Sequence, residues 1–72
     1  MSYPLLNAKL MTLKPGETLV VRFGTNTAKT EPEFSGELRI SSDFEFLNIE
    51  RRKEIQRVLA MVAPFLVTYY IQ

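Results

Sequence analysis

The apolar residues of this sequence change their spacing near Asn48, and that change limits the folds available to the chain. From Glu37 to Phe46 apolar and polar residues largely alternate, which is typical of a strand with one buried face. Asn48 follows this stretch and is a favourable N-cap residue. Beyond it the apolar residues have helical spacing, at Ile55, Val58, Leu59, Val62 and Leu66. The sequence therefore predicts a strand that runs to about residue 47, followed by a helix.

An earlier start for this helix is the alternative. Ser42 and Glu45 have the spacing of a capping box, which would begin the helix at Asp43 and move the basic residues away from its positive end. The longer helix would place Arg51 on its apolar side, and it would measure about 31 Å against about 20 Å for a typical strand. We favour the later start. In both cases Pro64 ends the helix, because it has no N–H to donate.

The first half of the chain is predicted to contribute two adjacent antiparallel strands. Residues 5–13 and residues 18–23 are apolar runs on either side of a short turn segment. Pro15 and Gly16 occupy the central positions of this segment, as a type II turn prefers. We therefore expect a chain reversal at these two residues.

The remaining segments complete the predicted fold. Residues 24–36 form a long polar loop whose apolar residue, Phe34, is expected to hold it against the body of the protein. Residues 65–71 are apolar on both sides, which is typical of a strand that is central or covered on both faces. The predicted fold class is α+β, a single domain over residues 1–72. It comprises an antiparallel or mixed sheet of about four strands and one helix, in the order β-β-β-α-β.

This fold leaves part of its sheet uncovered. One helix is about 10 Å wide, whereas four strands span about 19 Å. The chain has 72 residues and no cysteine or histidine, so neither a disulfide nor a cysteine or histidine metal cage can supplement its small core. We therefore expect a second copy of the chain to complete the structure. The candidate residues for this homodimer interface are Phe65, Val67, Tyr69 and Tyr70.

The composition also limits the chemistry that the protein can perform. Without histidine or cysteine, the sequence has no catalytic triad, no thiol nucleophile and no imidazole acid or base. It contains no dinucleotide-binding, phosphate-binding or zinc-protease motif. Pairs of nearby carboxylates are expected to be solvated surface groups. We predict a protein that is not an enzyme and that uses no cofactor or metal.

An interaction with another protein is the function that these features favour. Residues 31–50 carry a net charge of −5 within a chain whose overall charge is only +1. A small cytoplasmic domain without catalytic residues usually acts by binding, and this size is typical of inhibitors or accessory proteins of viruses and mobile elements. The candidate contact residues for an unidentified protein partner are Glu31, Glu33, Phe34, Glu37, Asp43 and Glu45.

Two alternatives remain open. The first is binding of single-stranded nucleic acid by a basic surface with aromatic side chains, although a net charge of +1 is below what such domains usually have. Its candidate residues are Arg22, Lys29, Arg51, Arg52, Lys53 and Arg57. The second alternative is a structural protein that assembles with itself.

A membrane location is not expected. Residues 58–71 carry no charge, but these 14 residues are fewer than the roughly 20 that a spanning helix needs, and Pro64 interrupts them. The N-terminus lacks the basic and apolar regions of a signal peptide. The absence of cysteine fits a reducing compartment. We therefore expect a protein of the cytoplasm, in the producing cell or in an infected host.

Overall fold

The structure, a computed structural model, describes residues 2–24 and 34–72. These residues form two α-helices and three strands, together with two short 3-10 helices over Ser42–Phe46 and Ala63–Phe65. The prediction of an α+β domain is confirmed, but the described part of the chain has one strand fewer and one helix more than predicted. In chain order, the elements are α1 (Ser2–Met11), β1 (Thr18–Gly24), β2 (Phe34–Ser41), α2 (Ile49–Val62) and β3 (Leu66–Ile71).

The sheet has β1 at its centre, with β2 on one side and β3 on the other. Both pairings are antiparallel, and Leu19 of β1 lies opposite Ile40 of β2 and Ile71 of β3. Consequently β2 and β3 run in the same direction and are connected through α2. The prediction that residues 65–71 form a central or doubly covered strand is wrong, since β3 is an edge strand among the described residues.

The prediction of a strand over residues 5–13 is also wrong, because most of this segment belongs to α1. Leu6 and Leu10 are four residues apart and almost fully buried, as expected for one face of a helix. Ala8 lies between them and is exposed, whereas in a strand it would share their face. Residues 2–11 contain no β-branched residue, and Pro4 lies in the first turn, where a helix tolerates proline.

The turn predicted at Pro15 and Gly16 is confirmed, although it joins a helix to a strand. The N–H of Glu17 donates to the carbonyl of Lys14 at 3.0 Å. Gly16 has a φ of +87°, the left-handed conformation that the third position of a type II turn requires. Its N–H also donates to Oγ of Ser42 at 3.1 Å, which ties the turn to the end of β2.

The segment between β2 and α2 combines parts of both predictions for the start of the helix. The strand ends at Ser41 rather than near residue 47, because Oγ of Ser41 accepts the N–H of Asp43 at 3.2 Å and starts a 3-10 helix. Phe44 is buried, whereas Phe46 is 81% exposed. The predicted N-cap is confirmed, since Oδ1 of Asn48 accepts a hydrogen bond from the backbone N–H of Arg51 at 2.9 Å.

Both helices pack against one face of the sheet and enclose the core. Strand β3 contributes only partly buried residues to this core. The buried residues of the core come from α1, β1, β2, α2 and the two 3-10 helices: Leu6, Leu10, Leu19, Val21, Ile40, Phe44, Leu59 and Ala63. Helix α1 therefore covers surface that the sequence analysis assigned to a second copy of the chain. The prediction of a single helix, which left part of the sheet uncovered, is wrong.

The opposite face of the sheet, here called the open face, is covered by long polar side chains. Val20 points to this face and is fully buried, although no helix of the described residues packs there. Its cross-strand neighbours are Arg39 and Tyr70, whose side chains have apolar stems or rings that can shield it. The guanidinium of Arg22 lies 5.5 Å from the centre of the Tyr70 ring.

Within the described ranges, no helix is both long enough and apolar enough to cross a membrane. The uncharged residues 58–71 are divided among the end of α2, the second 3-10 helix and β3.

Candidate functional site

An apolar groove lies between the outer edge of β2 and the side of α2, and we call it the β2–α2 groove. Its volume is about 320 Å³. The polar residues at its margin are Arg39, Ser41, Asp43 and Glu54. The apolar lining comes from β2, from the segment that follows it and from α2: Leu38, Ile40, Phe44, Leu47, Ile55 and Val58.

The groove exists because the apolar stripe of α2 is wider than its contact with the sheet. Leu59, at the centre of the stripe, is fully buried, and Ile55 is partly buried. Val58, at the margin of the stripe, is 37% exposed and faces the groove. Leu47 is 42% exposed at the same margin. Apolar surface therefore remains in contact with water beside an edge strand.

The backbone of β2 adds hydrogen-bonding groups to this margin that no strand of the described residues pairs with. The N–H of Ser42 donates to the carbonyl of Glu17 at 2.9 Å, which fixes the alternation of the ladder between β1 and β2. Along β2, the residues that bond to β1 are then Leu38 and Ile40. The N–H and C=O groups of Glu37 and Arg39 point away from β1, toward an edge on which no described strand lies.

The charges at the margin differ in how they are neutralised. Glu54 pairs with Arg51, with 3.3 Å between Nη1 and Oε2. The carboxylate of Asp43 makes no ion pair with any residue in the described ranges. Since Asp43 is exposed and lines the groove, it leaves negative charge available to a ligand at that end.

The open face carries a charge network next to the groove. Glu37 accepts from Nε of Arg39 at 2.6 Å and from Nε of Arg22 at 3.3 Å. The hydrogen bond from Arg39 is the main reason why the pKa of Glu37 is below its ordinary value, and the same bond raises the pKa of Arg39. Nη1 of Arg39 also donates to Oε1 of Gln72 at 2.8 Å. The charged groups that these bonds join on the open face are therefore paired with one another.

The residues predicted to contact a protein partner lie in several places. Asp43 lines the β2–α2 groove, Glu37 belongs to the open-face network, and Glu45 lies near Met11 on another side of the molecule. Phe34 begins β2. Glu31 and Glu33 lie outside the described residues. Of the described acidic candidates, Asp43 is the one that the structure brings to the groove.

The residues predicted to bind nucleic acid are divided between two elements. Arg22 is on the open face, where it contacts Tyr70 and Glu37. The other described candidates are on α2, against the opposite face of the sheet: Arg51, Arg52, Lys53 and Arg57. Arg51 is paired with Glu54, and Nε of Arg52 is buried without a hydrogen-bond partner among the described residues. Lys29 lies outside the described residues. The described basic candidates thus do not form one continuous surface.

The residues predicted to form a dimer interface lie in or next to β3. Phe65 and Val67 are each 39% exposed, and Tyr70 is 36% exposed on the open face. Tyr69 is partly buried and packs against the core. These residues do share one edge of the sheet, which is the edge opposite the β2–α2 groove.

The apolar residues of the groove were predicted only as parts of a strand and of a helical stripe, and none of them was predicted as a site. The available signal is the position of Val58 at the margin of the helical stripe, next to the fully buried Leu59. This signal becomes informative only once β2 is known to be an edge strand.

In the described residues, no three acidic side chains converge to hold a metal ion. No protein family, curated protein or solved structure matches this chain.

Proposed function

We propose that this protein is a non-catalytic binding domain that holds an extended segment of a partner protein in the β2–α2 groove. The observation that carries this proposal is the edge of β2, on which no described strand lies, beside an apolar groove. An added strand can bond the outward-directed backbone groups of Glu37 and Arg39, while its alternate side chains enter the groove. A small inhibitor or accessory protein could act in this way.

The lining supports an apolar ligand whose polar contacts are few. Side chains of Leu38, Ile40, Ile55 and Val58 offer branched aliphatic surface, and a volume of about 320 Å³ is at the lower end of the range for ligand pockets. Aliphatic side chains at every second position of an extended segment would point into this surface. Affinity would come from the backbone bonds, and selectivity would come from the side chains that fit.

The charge at the margin favours a basic residue in the ligand. Asp43 is exposed and has no ion-pair partner in the described residues. An exposed ion pair contributes little, about 1 kcal/mol or less, and is weakened by salt. A lysine near the end of the bound segment should therefore improve binding modestly at low salt, whereas a glutamate should weaken it.

The test is a titration of a labelled peptide of about eight residues, the length of β2, monitored by fluorescence anisotropy. The probe alternates valine with threonine and has lysine at both ends. Val58→Lys places a charge in the groove, and Met61→Lys is the matched control because residue 61 is an exposed apolar residue of the same helix outside the groove. We expect Val58→Lys to weaken binding by about tenfold or more and Met61→Lys to leave it unchanged.

Two results would contradict this proposal. The first is equal binding by both variants, because the peptide would then bind elsewhere. The second is equal affinity for the probe and for the same peptide with proline at the positions whose N–H would donate to β2, because proline has no N–H to donate. Replacing the terminal lysines by glutamate tests the role of Asp43 separately from the groove itself.

Nucleic-acid binding receives weaker support from the arrangement of charges. Arg22 and Arg39 are engaged with Glu37, and the basic residues of α2 are on the other side of the sheet. Titration of labelled single-stranded oligonucleotides at about 50 and 200 mM salt distinguishes this alternative, since phosphate contacts lose affinity steeply over that range.

A further inference from the structure

We propose that two copies of this chain associate through the outer edges of their β3 strands, which pair as antiparallel neighbours across a two-fold axis. The two sheets would become one continuous sheet. This inference does not depend on the β2–α2 groove, which lies at the opposite edge of each sheet.

The two edges of the sheet differ in their chemistry. Strand β2 carries the charged residues Glu37 and Arg39, and charged side chains are a common protection against indiscriminate strand pairing, because they limit an edge to strands of complementary charge. Strand β3, from Leu66 to Ile71, contains no charged residue. No strand of the described residues pairs with its outer edge. The edge of β3 thus lacks the usual protection.

Exposed apolar side chains accompany this unprotected edge. Val67 is 39% exposed and Ile71 is 41% exposed, and Phe65 immediately before the strand is 39% exposed. These residues explain why the sequence resembles that of a covered strand, although β3 is at an edge. A second β3 strand beside the first would remove part of this surface from water.

The hydrogen bonds between β1 and β3 determine the register that such a pair can adopt. The N–H of Thr18 donates to the carbonyl of Gln72 at 3.0 Å, and the N–H of Gln72 donates to the carbonyl of Thr18 at 2.8 Å. Because bonded residues alternate along an antiparallel strand, Val67, Tyr69 and Ile71 direct their N–H and C=O groups away from β1. These are the groups that a second strand can bond.

One symmetric register uses all of these groups. If Tyr69 lies opposite the partner's Tyr69 at the two-fold axis, then Val67 lies opposite the partner's Ile71 and Ile71 lies opposite the partner's Val67. Each of the three pairs is a bonded pair of an antiparallel ladder. The apolar side chains at positions 67 and 71 become cross-strand neighbours, and no like charges meet. The edge is therefore complementary to itself, as a two-fold interface requires.

The consequence for function is that the dimer would present two β2–α2 grooves, one at each outer edge of the joined sheet. A partner with two extended segments, or an assembled partner, could then bind with increased avidity.

Sedimentation equilibrium of the whole chain, at loading concentrations from about 1 to 200 μM, tests the association itself. We expect a monomer–dimer equilibrium whose dissociation constant rises by about tenfold or more in Val67→Lys and is unchanged in Met61→Lys. Circular dichroism of each variant checks that it is folded. A monomer throughout the concentration range, a dimer insensitive to Val67→Lys, or oligomers larger than a dimer would each overturn the proposal.

Disulfide trapping tests the register, and the absence of native cysteine makes the result specific. Opposed residues of a bonded pair have Cα atoms about 5.5 Å apart, within the range that a disulfide spans. We expect an equimolar mixture of Val67→Cys and Ile71→Cys to form a cross-linked dimer on mild oxidation, and each variant alone to cross-link much more slowly. Equal cross-linking in all three samples would overturn the register.

Discussion

Substitutions in α1 provide the strongest test of the fold, because α1 covers the part of the sheet face that α2 alone would leave uncovered. Leu6 is fully buried, so Leu6→Ala should remove its side chain from the core and leave a cavity. Comparable substitutions cost about 2.7 to 5 kcal/mol. A domain of this length has a free energy of unfolding of about 4 to 11 kcal/mol, so a large part of the stability should be lost.

Ala8→Lys is the matched substitution that distinguishes a helix from a strand. In α1 residue 8 is exposed, and a lysine there should change the stability by no more than about 0.5 kcal/mol. In a strand, residue 8 would share the buried face of Leu6 and Leu10, and a lysine would cost several times more, since burying an unpaired charge is unfavourable. Urea denaturation followed by circular dichroism measures both values. A loss in Ala8→Lys as large as that in Leu6→Ala would refute the docked helix.

Two further predictions concern local interactions. Asn48→Ala removes the N-cap side chain of α2, whose Oδ1 accepts the N–H of Arg51 at 2.9 Å. This change should lower the free energy of unfolding, measured by urea denaturation, by about 1 kcal/mol. An unchanged urea midpoint would show that the cap contributes nothing to stability. Glu37→Gln should destabilise the protein at neutral pH but not in acid. The folded pKa of Glu37 is lowered, so its carboxylate contributes stability above its ordinary pKa of 4.5 and loses it as the pH falls through the lower folded value. Thermal unfolding at both pH values checks this, and an equal difference between variant and parent at each pH would contradict it.

Strand β1 and helix α2 were predictable because the residues that they place in the core follow a simple period. In β1, Leu19 and Val21 share the covered face, as the alternation of the sequence predicts. In α2, Leu59 is buried at the centre of the predicted stripe, and Asn48 caps the helix. In these segments the local pattern and the tertiary packing favour the same structure, so sequence alone suffices.

Helix α1 was not predicted because its sequence is short and apolar enough to fit either period. Leu6 and Leu10 have the spacing of one helical face, but they would also share a face in a strand. The helix is stabilised by docking these two residues against the sheet and α2, and that contact is not visible in a local window. The absence of β-branched residues and the position of Pro4 were the local signals that favoured a helix.

The segment after β2 was misassigned because a 3-10 helix can follow a strand without interrupting the alternation of residue types. Phe44 and Phe46 have the spacing of one strand face, yet one is buried and the other is 81% exposed. The hydrogen bond from Asp43 to the side chain of Ser41 redirects the backbone at this point.

The candidate site could not be predicted from the sequence because it depends on the order of the strands in the sheet. The apolar character of residues 65–71 suggested a central position, but β1 is central and both neighbours are edges in the described residues. The β2–α2 groove follows from that order, and its apolar lining is indistinguishable from core in the sequence. Asp43 was predicted as a contact residue, whereas Val58 was predicted only as a member of the apolar stripe of the helix, and both line the groove.

The central claim is that an extended ligand adds to β2 and fills the β2–α2 groove. Titration of the ¹⁵N-labelled protein with the lysine-flanked valine–threonine peptide, monitored by NMR, tests it most directly. The account predicts chemical-shift changes concentrated at the amides of Glu37 and Arg39 and at Asp43, Leu47 and Val58, with slower amide exchange at the first two. Changes confined to β3 or to α1, or no changes at peptide concentrations that saturate the anisotropy signal, would contradict it.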